Sequence, residues 1–210
     1  PRSLNDHLGT GRHYNINSKR GRLHTLFSMT GNEQDLYNND IAAFYDNMEC
    51  IESEDFPYVV IAPSYMIYCQ DYTDLIETHI ESGADITMLY HTVDNAKSAF
   101  INCNVLNLNK QKGVLDIGGD NAVRSFREKK ASDGAMINAG YMVLNPEIFD
   151  YLDGDNCVFE KAPLQKLAEQ GQLMSYIHKG FWQCMDNKRE MDLLEKMFTT
   201  GNAPWKKWED

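Results

Sequence analysis

The chain has 210 residues, 42% of them hydrophobic and 11% aromatic, which suits one ordinary folded domain with a sizeable core. Its formal net charge of −11 opposes nucleic-acid binding by counterion release, and no apolar run approaches the ~18 residues that point to a membrane span. The polar start PRSLNDHLGTGRHYN lacks a signal-peptide core, and Cys50, Cys69, Cys103, Cys157 and Cys184, without a CxxC pair, read as reduced thiols of a cytoplasmic protein.

Leu4 to Leu8 reads as a short helix, and Leu23 to Phe27 as a strand. Asp35 to Met48 carries a helical stripe of Leu36, Ile41, Phe44, Tyr45 and Met48. Tyr58 to Ala62 is a continuous apolar run, as expected of a strand buried on both faces. Asp71 to Ser82 reads as a helix with Tyr72, Leu75, Ile76, His79 and Ile80 on one side and Gly83 at its end. Ile86 to His91 is the next strand. This alternation predicts parallel strands with right-handed crossovers. From Phe100 the pattern changes to short strands at Ile101–Leu108, Val114–Ile117, Val123–Glu128 and Met136–Leu144, with a turn at Asn109–Gly113. Helices return at Pro146–Leu152, Glu160–Gln170 and Asn187–Thr199, with a strand at Leu173–Ile177. With no repeat or low-complexity linker, the expectation is a single α/β domain over 1–210.

Three short segments carry chemistry: Glu128-Lys129 after an apolar strand, Ile137-Asn138-Ala139-Gly140 at a strand entry, and Gly180-Phe181-Trp182-Gln183-Cys184-Met185-Asp186 before a helix. In that order and spacing they resemble the EKP, INGG and GFWQPMD segments of the sugar-1-phosphate nucleotidyltransferases, of the glucose-1-phosphate cytidylyltransferase type. The first half, with SLNDHLG and YVVIAPSYMIY, resembles the regulatory-type subunit of bacterial ADP-glucose pyrophosphorylase. The two resemblances cover about 1–117 and 121–208. A natural fusion or an engineered chimera would give a seam in the 109–121 turns.

The resemblance implies a Rossmann-like nucleotide-diphospho-sugar transferase fold, α/β with a mixed sheet and flanking helices, incomplete at its N-terminus. It implies glucose 1-phosphate and a nucleoside triphosphate, ATP or CTP, as ligands, and Mg²⁺ as the ion. It assigns Lys129 to the sugar phosphate and catalysis, Glu128 to sugar hydroxyls, Asn138 and Gly140 to the sugar, Gly31 to the nucleotide and Asp186 to the metal. Asn187 to Glu190 also reads as a capping box, which suits a structural role for the same segment.

This chain departs from the family pattern at several points. Lys130 replaces a proline, and Ala139 replaces a glycine, adding a methyl where backbone would approach a ligand. Tyr65 stands where the family's other metal aspartate is expected; a phenol with pKa about 10 is neutral at pH 7 and does not replace a carboxylate on Mg²⁺. The Gly-rich triphosphate loop has no counterpart, and Gly9-x-Gly11 lacks a preceding strand and a third glycine. The reading is therefore a nucleotidyltransferase with little or no turnover. A regulatory or sugar-phosphate-binding module, or a chimera without function, is the alternative. A homo-oligomer is expected from exposed strand edges.

Overall fold

The computed structural model describes residues 2–9, 23–26, 43–44, 46–53, 56–93, 104–107, 122–123, 125–128, 136–152, 159 and 162–207. The chain divides into two compact units, residues 1–55 with 154–156, and residues 56–153 with 157–210. In the first unit, α1 (Arg2–Leu8) covers the expected opening helix. A second helix, α2 (Met48–Glu52), follows Asn47, whose amide donates to the Ala43 carbonyl at 2.8 Å. Leu23 to Leu26, expected as a strand, has no regular secondary structure. Gly31, the start of the predicted 35–48 helix and the 109–121 seam lie outside the described residues.

The second unit is built on a four-stranded sheet. Its strands are β1 (Val59–Ile61), β3 (Ile86–Thr92), β6 (Met136–Leu144) and β7 (Leu173–His178), in the order β1-β6-β3-β7. The sheet is mixed. β3 and β7 are parallel, while β6 enters antiparallel between β1 and β3, so the strands at 58–62 and 86–91 that the α/β alternation covers run in the same direction but are not neighbours. Among the described strands β1 lies at the edge of the sheet; it is only half-buried, with Val60 38% exposed, and the expected burial on both faces does not hold.

Two short strands absent from the sequence reading, β2 (Met66–Tyr68) and β8 (Trp182–Cys184), pair antiparallel as a separate ribbon. A second ribbon joins β4 (Asn104–Asn107) and β5 (Ser125–Glu128). Pro146–Tyr151 forms a 3-10 helix where an α-helix was expected, with Pro146 in its first turn.

Each sheet face packs its own apolar cluster. On one face Ile86, Met88, Tyr90, Met142 and Leu144 meet Leu164, Leu167 and Ala168 of α4 (Ala162–Glu169). On the other, Leu89, Ile137, Ala139 and Val143 meet Leu75 of α3 (Tyr72–Ser82), with Trp182 and Cys184 of the β2–β8 ribbon. The residue alternation along β3 and β6 explains this division, since successive side chains of a strand point to opposite faces. Asp71 caps α3 by accepting from Thr73 N–H at 2.9 Å, and Gly83 ends it in the left-handed region at φ 64°. Of the predicted stripe, Leu75 and His79 are buried, whereas Tyr72 and Ile80 are exposed.

β6 carries a bulge. Met88 faces Met142 and Tyr90 faces Asn138, so Leu89 alone spans Ala139–Tyr141. Gly140 sits in that bulge at φ 86°, and a Cβ there would lie 2.7 Å from Pro63 Cγ. Gly140→Ala is therefore expected to cost roughly 2–3 kcal/mol, combining positive φ with a ring clash. Gly171→Ala, at φ 73° with open space around it, should cost only about 1 kcal/mol. Urea denaturation of both variants measures the difference; equal losses would contradict the tight approach at Pro63.

Candidate functional site

β1 and β3 run against β6, so their C-terminal ends share an edge with the start of β6. Ligands of open α/β sheets collect at such an edge. Asn138, 8% exposed, pairs with Tyr90 there and accepts from the Gly140 N–H at 2.8 Å. Gly140 abuts Pro63 in the β1–β2 loop. Tyr65, at the end of that loop, accepts from the Met185 N–H through its carbonyl at 2.7 Å. The structure thus brings Asn138, Gly140 and Met185, the residue before Asp186, to the 63–65 loop. Ala139 is fully buried in the apolar cluster below, so its methyl faces the core and the ligand crowding expected of it is not found. Glu128 ends β5 opposite Asn104; its side chain and the whole of Lys129 lie outside the described residues.

Asp186 stands just before α5 (Lys188–Thr199). The capping box is present in a stretched form. Asn187 accepts from the Glu190 N–H at 3.1 Å, while Glu190 reaches back to the Asp186 N–H at 3.3 Å rather than to that of Asn187. Asn187 also donates its amide to Asp186 Oδ1 at 2.8 Å. Side-chain hydrogen bonding with Glu190, together with Cys184 and Asn187, holds the exposed Asp186 carboxyl below its ordinary range. The ligand atoms of Cys184, Asp186 and Glu190 lie within 4.8 Å of one another. The oxygen donors of Asp186 and Glu190 suit Mg²⁺; the thiol does not, being a soft ligand.

Behind this edge lies a layer of aromatic and imidazole groups that sequence reasoning missed. Tyr68 contacts Tyr141 at 4.0 Å and His178 at 5.6 Å between ring centroids, and shares a hydrogen bond with Tyr72. His91 stacks on Trp182 at 5.6 Å, and its Nδ1 donates to the His178 carbonyl at 2.9 Å. Burial raises the Tyr68 phenol well above its usual value and pushes Tyr141 up to about 12. The only signal for this layer is register, because His91 and His178 become cross-strand neighbours once β3 and β7 pair in parallel. Beside it opens a cavity of about 410 Å³ between Cys69, Gln70, Thr78, Tyr176, His178 and Lys179.

Comparison with known protein families matches residues 1–210, the whole chain, to the family described as Nucleotidyl transferase. Glucose-1-phosphate cytidylyltransferase of Salmonella typhimurium is 52% identical over 97 residues, covering 46% of this chain and 37% of that protein. A probable glucose-1-phosphate cytidylyltransferase of Bacillus subtilis is 37% identical over 144 residues, covering 67% and 55%. A glucose-1-phosphate adenylyltransferase of Thermotoga neapolitana is 35% identical over 194 residues, covering 87% and 43%. The chain thus spans about a third to a half of the length of these relatives. Among the described residues, no helix is long and apolar enough to cross a membrane.

Burial first, and the nearby Asp186 charge second, push the Cys184 thiol up to about 12. Native Cys184 should therefore alkylate at pH 8 at least about a hundredfold more slowly than an ordinary thiol, and should react normally after unfolding. Mass spectrometry of iodoacetamide-treated protein reads this directly; rapid native labelling of Cys184 would contradict it.

Proposed function

Since this chain belongs to the nucleotidyl transferase family, we propose that it is a glucose-1-phosphate nucleotidyltransferase-type domain that binds the sugar phosphate at the β1/β3/β6 edge and turns over weakly or not at all. In the complete reaction a sugar-phosphate oxygen attacks the α-phosphorus of ATP or CTP. The new P–O bond forms as the bond to pyrophosphate breaks, giving the nucleoside diphosphate sugar. Positioning and charge neutralisation supply most of such catalysis.

In this reading Lys129 holds the sugar phosphate, and Glu128 holds sugar hydroxyls. Asn138 and Gly140 line the sugar, and Gly31 lies toward the nucleotide. Asp186 would hold Mg²⁺, which when bound neutralises phosphate charge. The observation that supports the proposal is the run of contacts from Asn138 through Gly140 to Pro63, and from Tyr65 in the same loop to Met185 next to Asp186. It brings two of the three matching segments, far apart in sequence, to the same β1–β2 loop.

Weak turnover is supported by residue type: Tyr65, 46% exposed, stands where the family resemblance expects a second metal carboxylate, and a neutral phenol does not replace one on Mg²⁺. This observation also favours a second reading, a non-catalytic sugar-phosphate-binding or regulatory module of the cytoplasm.

With Mg²⁺, glucose 1-phosphate and either CTP or ATP, pyrophosphate release should stay at background; release well above it would refute the weak-turnover reading. Calorimetric titration should still show glucose 1-phosphate binding. Lys129→Ala should weaken that binding roughly ten- to hundredfold, the loss of one charge-assisted hydrogen bond, without lowering the melting temperature. No binding by the parent chain would sink the proposal. Tyr65→Asp should make binding of the nucleotide more dependent on Mg²⁺; an unchanged dependence would show that Tyr65 does not face the metal position.

A further inference from the structure

His178 is 3% exposed at the end of β7, and both of its ring nitrogens face oxygen acceptors. Nδ1 lies 2.8 Å from Gln70 Oε1, and Nε2 lies 3.0 Å from the Phe181 carbonyl. The Gln70 amide is not free to turn its nitrogen toward the ring. Its Nε2 donates to the Asp71 carbonyl at 2.7 Å, and a reversed amide would set two oxygens against each other there. A neutral imidazole carries one N–H, so it serves one of the two acceptors and turns a lone pair on the other. Only the doubly protonated ring satisfies both. His79 shows the contrast. Its Nδ1 faces the Thr87 hydroxyl at 2.9 Å, which can donate, and its Nε2 faces Asn145 Oδ1 at 3.0 Å, so one neutral tautomer satisfies both.

We propose that His178 is a proton-operated latch on the turn between β7 and β8, holding Gln70 of the β2–α3 connection and the Phe181 carbonyl of the turn at the same time only when the ring carries its second proton. The turn is short, and β8 follows it at once toward Trp182, so the latch acts on the strand that leads to Asp186. Gly180 leaves no slack, because a Cβ there would lie 3.0 Å from the His178 ring.

The titratable groups around the ring are His91 on β3, Tyr68 on β2, Tyr176 and Lys179 on β7 with its end, and Cys69 before α3. None of these described neighbours is a carboxylate, so no counter-charge holds the ring protonated at neutral pH. Burial, and secondarily His91, lower the affinity of His178 for its second proton, against the Phe181 carbonyl, which favours it. The latch is therefore open at neutral pH and closes on acidification. This inference does not depend on the sugar-phosphate reading.

Long-range proton–nitrogen NMR of the histidine rings tests it in the intact chain. A single protonated ring nitrogen is expected at neutral pH. Two are expected below a midpoint lying under the ordinary histidine value of about 6.5, with the Gly180 and Phe181 amides shifting at the same midpoint. Gln70→Leu removes one acceptor of the cation and should lower the midpoint by about one unit, a tenfold weaker proton affinity. Gln70→Glu places a carboxylate on Nδ1 and should raise it by about one unit or more. A ring that never gains the second proton while the fold persists, turn amides that ignore its titration, or a midpoint unmoved in the folded Gln70 variants would each overturn the proposal.

Discussion

The antiparallel strand β6 is the constraint on which the rest of the second unit depends. It pairs with β1 on one side and β3 on the other, and its alternating side chains seed both apolar clusters. Its bulge at Asn138–Tyr141 also shapes the candidate site. The bulge turns the Asn138 amide back onto the Gly140 N–H and lets Pro63 close against a residue with no Cβ. A regular strand would keep the pairing and lose both contacts. Fold and site therefore share one local irregularity, as bulges beside functional sites commonly do.

Much of this was legible in the chain, because long periodic elements declare themselves. The helix after Asp71, the β6 strand and the helix after Asn187 fall close to where apolar spacing and capping residues put them. Sequence alternation gives the common direction of the strands at 58–62 and 86–91. It cannot show that β6 slots between β1 and β3, since strand order is a non-local choice made by packing. The Met66–Tyr68 and Trp182–Cys184 ribbon escaped notice for a different reason: strands this short carry no readable period. Motif spacing singled out Asn138, Gly140 and Asp186. The hydrogen bond that brings Met185 onto Tyr65 needed coordinates.

Two electrostatic regimes meet around the β2–β8 ribbon. On the solvent side, Asp186 keeps an exposed, hydrogen-bonded carboxylate below its usual range. On the buried side, Tyr68, Tyr141 and Cys184 are held neutral by loss of solvation. The ribbon is the boundary between a surface that can accept a cation and an interior that disfavours charge.

The central claim is that the β1/β3/β6 edge is where a sugar phosphate sits. Backbone amide chemical shifts recorded during titration with glucose 1-phosphate test it most directly. The account predicts shifts concentrated at Ser64, Tyr65, Asn138, Gly140 and Asp186. Saturable shifts confined to the cavity beside Gln70 and Lys179, with that edge unmoved, would contradict it.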